Sequence, residues 1–505
     1  MVGKSPYLQH QKEVVFISTP AIGMLIPTVE FARRLVHRNP DRLSATVLLI
    51  PVPHWPTIHS YTQSLPATSS PNLRFLLLPT LHPPSPDHTH SYVAHISSLI
   101  DQNKPNLKQA ISDLLVSKRQ VVGLFVDMFC TSIIDDAEEL GIPSYLFFAS
   151  PASFLSFMLE VPILDSQLAS DSVAEFSVRG FVNSVPRRVL PTTVLKRGDG
   201  YSWYLRHAKR YLETKGIIVN TVRELEPFVL ESLSAGGVPR VYPIGPILDL
   251  NGPAQWHPDR AQYESVIRWL DNQPLSSVVF LCFGSLGSLS GSQVKELALG
   301  IERTGLRFLW SCREPPKSKL GVPSEYANLE EALPNGFLER TVGTGLVCGW
   351  VPQVTILAHQ AVGGFVSHCG WNSILESLWH GVPIATWPVY AEQQMNAFEM
   401  VKELGLAVEL TLDYREGNDL VSAEEVEKGI KRLMEGDEEV REKVKRMKEK
   451  CRMTLLRDGS SYESLEYAEK KMNAFEMVKE FGFATGKLLD HKEGSDLVSD
   501  RRGGR

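Results

Sequence analysis

Residues 364–378 read GFVSHCGWNSILESL, and this stretch decides the fold class. The apolar residues that end at Ser367 predict a buried strand, and the periodic apolar residues through Leu378 predict a helix. A strand that enters a helix through a short polar turn is typical of α/β proteins. The N–H groups and the dipole of the helix N-terminus favour an anion, so the turn is a candidate phosphate site. Alone, it is equally compatible with a purely structural turn.

Further strand–helix units lie on both sides of this stretch. Apolar strands that alternate with helices predict parallel sheets covered on both faces, and the ligands of such sheets bind at the carboxyl ends of the strands. The strand candidates are Val14–Ile17, Thr46–Ile50, Leu73–Leu78, Val121–Val126, Tyr145–Phe148 and Gly216–Val219 in the first half, and Ser277–Phe283, Phe308–Trp310, Gly345–Val347, Gly364–Ser367, Ile384–Thr386 and Ala407–Glu409 in the second.

The length and the breakers predict two domains. A chain of 505 residues is too long for one hydrophobic core. The breakers Ile244-Gly245-Pro246 and Asn251-Gly252-Pro253 separate the two strand–helix series. We therefore predict two doubly wound, Rossmann-like domains that face each other across a cleft. Their predicted limits are residues 1–248 and 276–457, with an interdomain linker at 249–275.

The C-terminal segment contains a partial internal copy. Tyr390–Ser422 recurs at most positions as Tyr467–Ser499. A single distant copy does not make a solenoid, which needs several stacked units. We predict that residues 458–505 form a poorly packed C-terminal segment, and that the tail beyond about Lys471 is dispensable.

Composition and charge exclude several classes of protein. The formal charge of −6 gives no basic face for nucleic acid. The N-terminus, Met1–Glu13, lacks the layout of a secretory signal, and the apolar runs are too short to span a bilayer. The six cysteines form no CxxC pair, as is typical of buried, reduced thiols. We expect a cytoplasmic protein without a nucleic-acid partner or membrane span, and the sequence indicates no obligate protein partner.

A second candidate anion turn follows another strand, at residues 283–288. Its spacing differs from GxGxxG and it lacks the lysine of a P-loop, so a dinucleotide-binding oxidoreductase is disfavoured. No Asp-x-Asp occurs in the chain, so we expect no metal–diphosphate site of that kind.

The stretch around the first turn closely resembles the signature box of plant family-1 UDP-glycosyltransferases. The matching residues are WVPQ at 350–353, His359, SHCGWNS at 367–373, Glu376, GVP at 381–383, Pro388 and Glu392-Gln393. The resemblance extends from about Val14 to about Tyr467. It implies two Rossmann-like domains of the GT-B type and an inverting transfer without a metal. The UDP-sugar is a co-substrate, so no cofactor is expected.

The resemblance also assigns the donor-binding residues. An aromatic face suits a flat base, and a carboxylate with an amide can orient a polyol. The implied roles are uracil stacking for Trp350, ribose binding for Gln353 and Glu376, diphosphate binding for Ser285, His368, Asn372 and Ser373, and sugar binding for Trp371, Glu392 and Gln393, with Val351 and Gly370 completing the donor site. In this family Gln393 favours glucose.

The catalytic pair of the family is incomplete in this sequence. The family has a base histidine in the loop after the first strand and an aspartate that orients it. Asp127 matches the aspartate, but Met24 occupies the histidine position, and a thioether accepts no proton at neutral pH. Asp127 acting directly, or through water, on an acidic phenol is one remaining route.

Two functions are therefore open. The first is a glucosyltransferase that uses UDP-glucose and a hydroxyl of a small apolar plant metabolite (a flavonoid, another phenolic or a terpenoid), with turnover impaired by Met24. The second is a catalytically silent relative that binds the UDP-sugar or the aglycone. In either case we expect the acceptor pocket to include Phe129, Phe148, Ser150 and Phe154.

Overall fold

The computed structural model describes residues 12–83, 90–117, 119–250, 260–317, 321–415 and 419–472. These residues form two α/β domains, each built on a parallel sheet, so the predicted fold class is confirmed. Within them no helix is both long and apolar enough to cross a bilayer. All six cysteines are buried and unpaired, as the sequence predicted.

The N-terminal sheet has the strand order β3-β2-β1-β4-β5-β8-β9, and β6 pairs with β7 in a small separate sheet. The order reverses between β1 and β4, and a crevice at the carboxyl ends of the strands forms at such a point. The strands are β1 (Lys12–Ile17), β2 (Leu43–Leu49), β3 (Leu73–Leu77), β4 (Gln120–Asp127), β5 (Ser144–Phe148), β6 (Glu175–Phe176), β7 (Val185–Pro186), β8 (Ile217–Val219) and β9 (Val241–Pro243).

The C-terminal sheet has the order β12-β11-β10-β13-β14-β15. Here the order reverses between β10 and β13, so both predicted anion turns leave the sheet at the same crevice. The strands are β10 (Val278–Cys282), β11 (Arg307–Ser311), β12 (Gly345–Cys348), β13 (Val362–Ser367), β14 (Ile384–Thr386) and β15 (Ala407–Glu409).

Helices connect the strands and cover both sheets. Those of the first half are α1 (Ile22–Arg38), α2 (Pro56–Ser64), α3 (Tyr92–Val116), α4 (Ile134–Glu139), α5 (Ala152–Leu168), α6 (Thr192–Lys196), α7 (Asp199–Tyr211) and α8 (Pro227–Ser234). Those of the second half are α9 (Arg260–Asp271), α10 (Gly291–Thr304), α11 (Leu329–Ala332), α12 (Phe337–Arg340), α13 (Gln353–Leu357), α14 (Trp371–His380), α15 (Gln393–Phe398), α16 (Ala423–Lys431), α17 (Glu438–Met453) and α18 (residues 460–472).

Two predicted segments are more ordered than the sequence indicated. Part of the predicted linker is helix α9, which buries Val266 and Leu270 and contacts β12. The first part of the predicted loose C-terminal segment is α18, which buries Leu465, Ala468 and Met472 in the core of the N-terminal domain. Apolar residues at helical spacing explain why both segments are ordered, because each helix buries one apolar face against the domain that it contacts. The predicted dispensable tail beyond Met472 lies outside the described residues.

Candidate functional site

A cavity of about 540 Å³ lies between the two domains. It opens at the crevices of both sheets, where the loops after β1 and β4 face the loops after β10 and β13. From the C-terminal domain the cavity is lined by all twelve predicted donor residues: Ser285, Trp350, Val351, Gln353, His368, Gly370, Trp371, Asn372, Ser373, Glu376, Glu392 and Gln393.

The turn between β13 and α14 holds His368 in a tight slot. A Cβ added to Gly284 would come within 2.6 Å of the His368 ring, and one added to Gly370 within 2.5 Å. Gly284 also has φ +76, which glycine adopts at little cost. These two glycines therefore let the two anion turns close on the imidazole from both sides.

Burial sets the charge state of His368. It lowers the pKa of the imidazole to about 4, so the ring is neutral at physiological pH. Its Nδ1 has no hydrogen-bond partner among the described residues. A neutral imidazole beside the N-terminus of α14 can donate one hydrogen bond to an anionic oxygen.

Gln353, Ser373 and Glu376 form a hydrogen-bonded group that lines the cavity. Gln353 Nε2 donates to Ser373 Oγ at 2.7 Å and to Glu376 Oε2 at 2.7 Å. Burial raises the pKa of Glu376 to about 7. The group presents carboxylate and hydroxyl oxygens on one face of α14, as ribose recognition requires.

The predicted sugar-binding residues are held by contacts from both domains. Ser150 Oγ donates to Glu392 Oε1 at 3.0 Å, and the indole N–H of Trp371 donates to the Asn220 carbonyl at 2.6 Å. The Gln393 side-chain oxygen accepts the N–H groups of residues 389 and 390, each at 3.0 Å. Trp371 therefore contacts the cavity with its ring, because its N–H is already used.

Met24 lies beside the predicted phosphate turn. It is half-buried in the first turn of α1 and lines the cavity. The neighbouring Gly23 carbonyl accepts a hydrogen bond from Asn372 Nδ2 at 2.9 Å, which joins this loop to the N-terminus of α14. The position where the family has its base thus lies next to the predicted leaving group.

Asp127 lies behind the cavity surface. It is only 1% exposed, and both carboxylate oxygens accept hydrogen bonds. The donors are the Ser18 hydroxyl at 3.1 Å, the Thr19 hydroxyl at 2.9 Å, the Thr19 N–H and the Phe129 N–H at 3.0 Å. Among the donors, Thr19 and Phe129 line the cavity, whereas Asp127 itself does not.

The acceptor side differs in part from the prediction. Phe129 and Ser150 line the cavity. Phe148 and Phe154 do not, because both are 0% exposed and pack on each other in the hydrophobic core, with ring centroids 6.1 Å apart. Their strand and helix turn these side chains inward. The apolar lining instead includes Trp55, Ile58, Tyr92, Val93, Met128 and Tyr204, which the sequence analysis missed.

Comparison with known proteins identifies the family. The profile of the family described as "UDP-glucoronosyl and UDP-glucosyl transferase" matches residues 238–448. UDP-glycosyltransferase 43 of Pueraria montana var. lobata is 54% identical over 90% of this chain and 97% of its own length. UDP-glucose flavonoid 3-O-glucosyltransferase 6 of Fragaria ananassa is 46% identical over 91% of this chain and 98% of its own length.

The solved structures agree with the sequence relatives. The crystal structure of Medicago truncatula UGT71G1 complexed with UDP-glucose has a TM-score of 0.84 and 42% identity, and the match covers 92% of this chain and 99% of that one. A transferase from Siraitia grosvenorii in complex with UDP has a TM-score of 0.80 and 43% identity, over 92% and 100% of the two chains. Together with the paired parallel sheets and the cavity between them, these matches show that the chain belongs to the plant family-1 UDP-glycosyltransferases of GT-B fold.

Proposed function

We propose that the protein transfers glucose from UDP-glucose, with inversion, to a hydroxyl of a small apolar plant metabolite: a flavonoid, another phenolic or a terpenoid. One observation carries the proposal. The cavity joins the twelve predicted donor residues of one domain to an apolar and aromatic wall of the other. The flavonoid glucosyltransferase among the relatives and the UDP-glucose complex among the similar structures support the same substrates.

The cavity has a donor side and an acceptor side, an arrangement that suits the displacement of UDP by the acceptor in a single step. The diphosphate would lie at the N-terminus of α14, whose N–H groups, with His368, stabilise the charge of the leaving UDP. The acceptor would lie against Phe129 and Tyr92 in the facing domain. Its oxygen would approach the anomeric carbon on the side opposite UDP, so the new bond forms with inversion as the old one breaks.

Met24 supports a second candidate function, a silent relative that binds the UDP-sugar or the aglycone without turnover. A methionine accepts no proton, and positioned base catalysis contributes about 10²–10⁴-fold. Product formation separates the two candidates.

The test is an acceptor screen with UDP-glucose, in which UDP release and glucoside mass are measured and NMR gives the anomeric configuration. We expect an inverted glucoside from at least one phenol. Met24→His should raise turnover at least about tenfold, because an imidazole at this position can take the acceptor proton. Asp127→Asn should largely cancel that gain.

The matched control is Met453→His, which adds an imidazole at an exposed methionine that does not line the cavity and should leave turnover unchanged. UDP binding without product in the parent chain and in Met24→His would favour the silent relative. Equal rates in the two chains would show that Met24 does not occupy the base position or that another group serves as the base.

A further inference from the structure

Thr19 lies between the cavity and the buried carboxylate of Asp127, and it is itself buried. It directly follows β1 after Ser18, and it lines the cavity. Its Oγ1 donates to Asp127 Oδ1 at 2.9 Å while its N–H donates to Oδ2, so one residue holds both carboxylate oxygens. The other contact of Oγ1 is with Cys130 Sγ at 3.9 Å. Thr19 is therefore a cavity-lining residue whose side chain bonds to Asp127.

Asp127 is the natural proton acceptor behind Thr19. The titratable groups that interact with it are Cys130, Tyr92 and Tyr211. Burial raises the pKa of all three, so they are neutral at physiological pH and none of them supplies a positive charge. Burial also raises the pKa of Asp127 itself, which strengthens the carboxylate as a base.

We propose that Thr19 is a catalytic residue, which passes the proton of the acceptor hydroxyl to Asp127 in place of the imidazole that Met24 lacks. This inference rests on the proposed function. Thr19 belongs to the loop that Asn372 joins to the predicted phosphate turn through Gly23, so it lies in the part of the cavity wall that adjoins this turn.

The step balances without another reactant. The acceptor oxygen forms a bond to the anomeric carbon, and the bond from that carbon to the diphosphate oxygen breaks with its electron pair on UDP. The acceptor proton moves to Thr19 Oγ1 as the Thr19 proton moves to Asp127 Oδ1. The carboxyl group later returns its proton to water along the same route, after the products have left.

The experiment compares Thr19→Val in two backgrounds. Valine has the shape of threonine and keeps the backbone N–H that Asp127 accepts. In the parent chain we expect kcat with a phenol to fall at least about tenfold, with UDP affinity unchanged within about twofold. In the Met24→His background the same substitution should cost less than about threefold, because the imidazole then takes the proton.

A matched control and a conservative variant complete the test. Thr341→Val removes another buried hydroxyl, which donates to the Phe337 carbonyl at 2.9 Å away from the cavity, and should leave kcat unchanged. Thr19→Ser retains a hydroxyl and should keep kcat within about threefold of the parent value, whereas Thr19→Ala should not. If the valine variant does not fold, the comparison of kcat between Thr19→Ser and Thr19→Ala tests the role of the hydroxyl.

The possible results separate this proposal from the proposed function. An equal loss from Thr19→Val in both backgrounds, or no loss in the parent chain, would overturn the relay while leaving glucosyl transfer intact. Transfer by Met24→His but none by the parent chain would also overturn it. Absence of transfer in every chain would contradict the proposed function itself.

Discussion

At the scale of single residues, His368 and Trp350 are the two side chains on which we expect UDP affinity to depend most. His368 has an unpaired Nδ1 in a slot closed by two glycines, and Trp350 lines the predicted base site. His368→Ala removes a hydrogen bond to a charged group, worth about 1.5–3 kcal/mol, and Trp350→Ala removes an aromatic face. Calorimetry with UDP should show weaker binding for each variant.

The chain offers matched controls for both substitutions. His359 bonds to Asp271 at 3.1 Å and Trp379 lies outside the cavity, so His359→Ala and Trp379→Ala should bind UDP like the parent chain. Unchanged affinity in both His368→Ala and Trp350→Ala would contradict the assignment of the donor site.

At the scale of elements, a pair of buried carboxyl groups joins the two domains. Glu226 accepts the N–H groups of Ala152 and Ser153 at the N-terminus of α5, at 3.0 and 2.7 Å. Glu399, in the turn after α15 of the other domain, accepts the Ser153 hydroxyl at 2.6 Å. Burial and the Glu226 charge raise the pKa of Glu399 well above its ordinary value, so Glu399 keeps a proton that Glu226 accepts.

This pair predicts a loss of stability as pH rises above the ordinary carboxyl pKa. Because the pKa of Glu399 is raised in the folded state, its contribution is full below the ordinary value of about 4.5 and is lost as pH rises through the raised pKa. Each pKa unit corresponds to about 1.4 kcal/mol. The free energy of unfolding of the parent chain, measured with urea, should fall between pH 5 and pH 9 by an amount on this order, and Glu399→Gln should flatten that dependence.

Glu435→Gln is the control, because Glu435 is an exposed carboxylate in the same domain. The free energy of unfolding of this variant should equal that of the parent chain at every pH. If Glu399→Gln and Glu435→Gln both kept the parent dependence, the carboxyl pair would not couple the domains in this way.

The elements also explain how far the sequence predicts the site. The resemblance to the family assigned the twelve donor residues, which lie in or near strand ends and helix starts, and all of them line the cavity. Ser18 and Thr19 directly follow β1, and polar residues at the carboxyl end of a parallel strand are a signal by which the sequence could have shown them. Trp55, Tyr92 and Tyr204 lie in or beside α2, α3 and α7, and no local pattern distinguishes such aromatics from core residues. For the same reason Phe148 and Phe154 were wrongly assigned to the cavity.

At the scale of the whole molecule, α18 connects the end of the described chain to the N-terminal domain. Leu465 and Met472 are buried there, Arg38 forms an ion pair with Glu469 at 3.3 Å, and the Arg38 guanidinium lies over the Tyr462 ring. The helix is therefore part of the fold, although its C-terminal part, residues 467–472, stands at the start of the internal copy.

Two truncations test the role of this helix. A chain that ends after Gly459 loses the burial of Leu465 and Met472, at about 1.5–3 kcal/mol each, and should melt at a clearly lower temperature. A chain that ends after Met472 keeps these contacts and should melt like the parent chain. Thermal unfolding measures both, and limited proteolysis identifies the stable end. Equal melting of the two truncated chains would contradict the assigned role of α18.

The way the chain passes between the domains has a mechanical consequence. It crosses once after β9 and again between α17 and α18, and Thr454 Oγ1 donates to the Gly245 carbonyl at 3.5 Å where the crossings meet. Arg34 anchors the same place through the carbonyls of Ile244 and Pro246, at 2.9 and 2.7 Å. We expect two covalent connections at one point to act as a pivot that permits one domain to rotate against the other with little sliding. A small rotation there displaces residues in proportion to their distance from the pivot. The distance between Ser150 and Glu392 would therefore report how far the cleft between the domains is open.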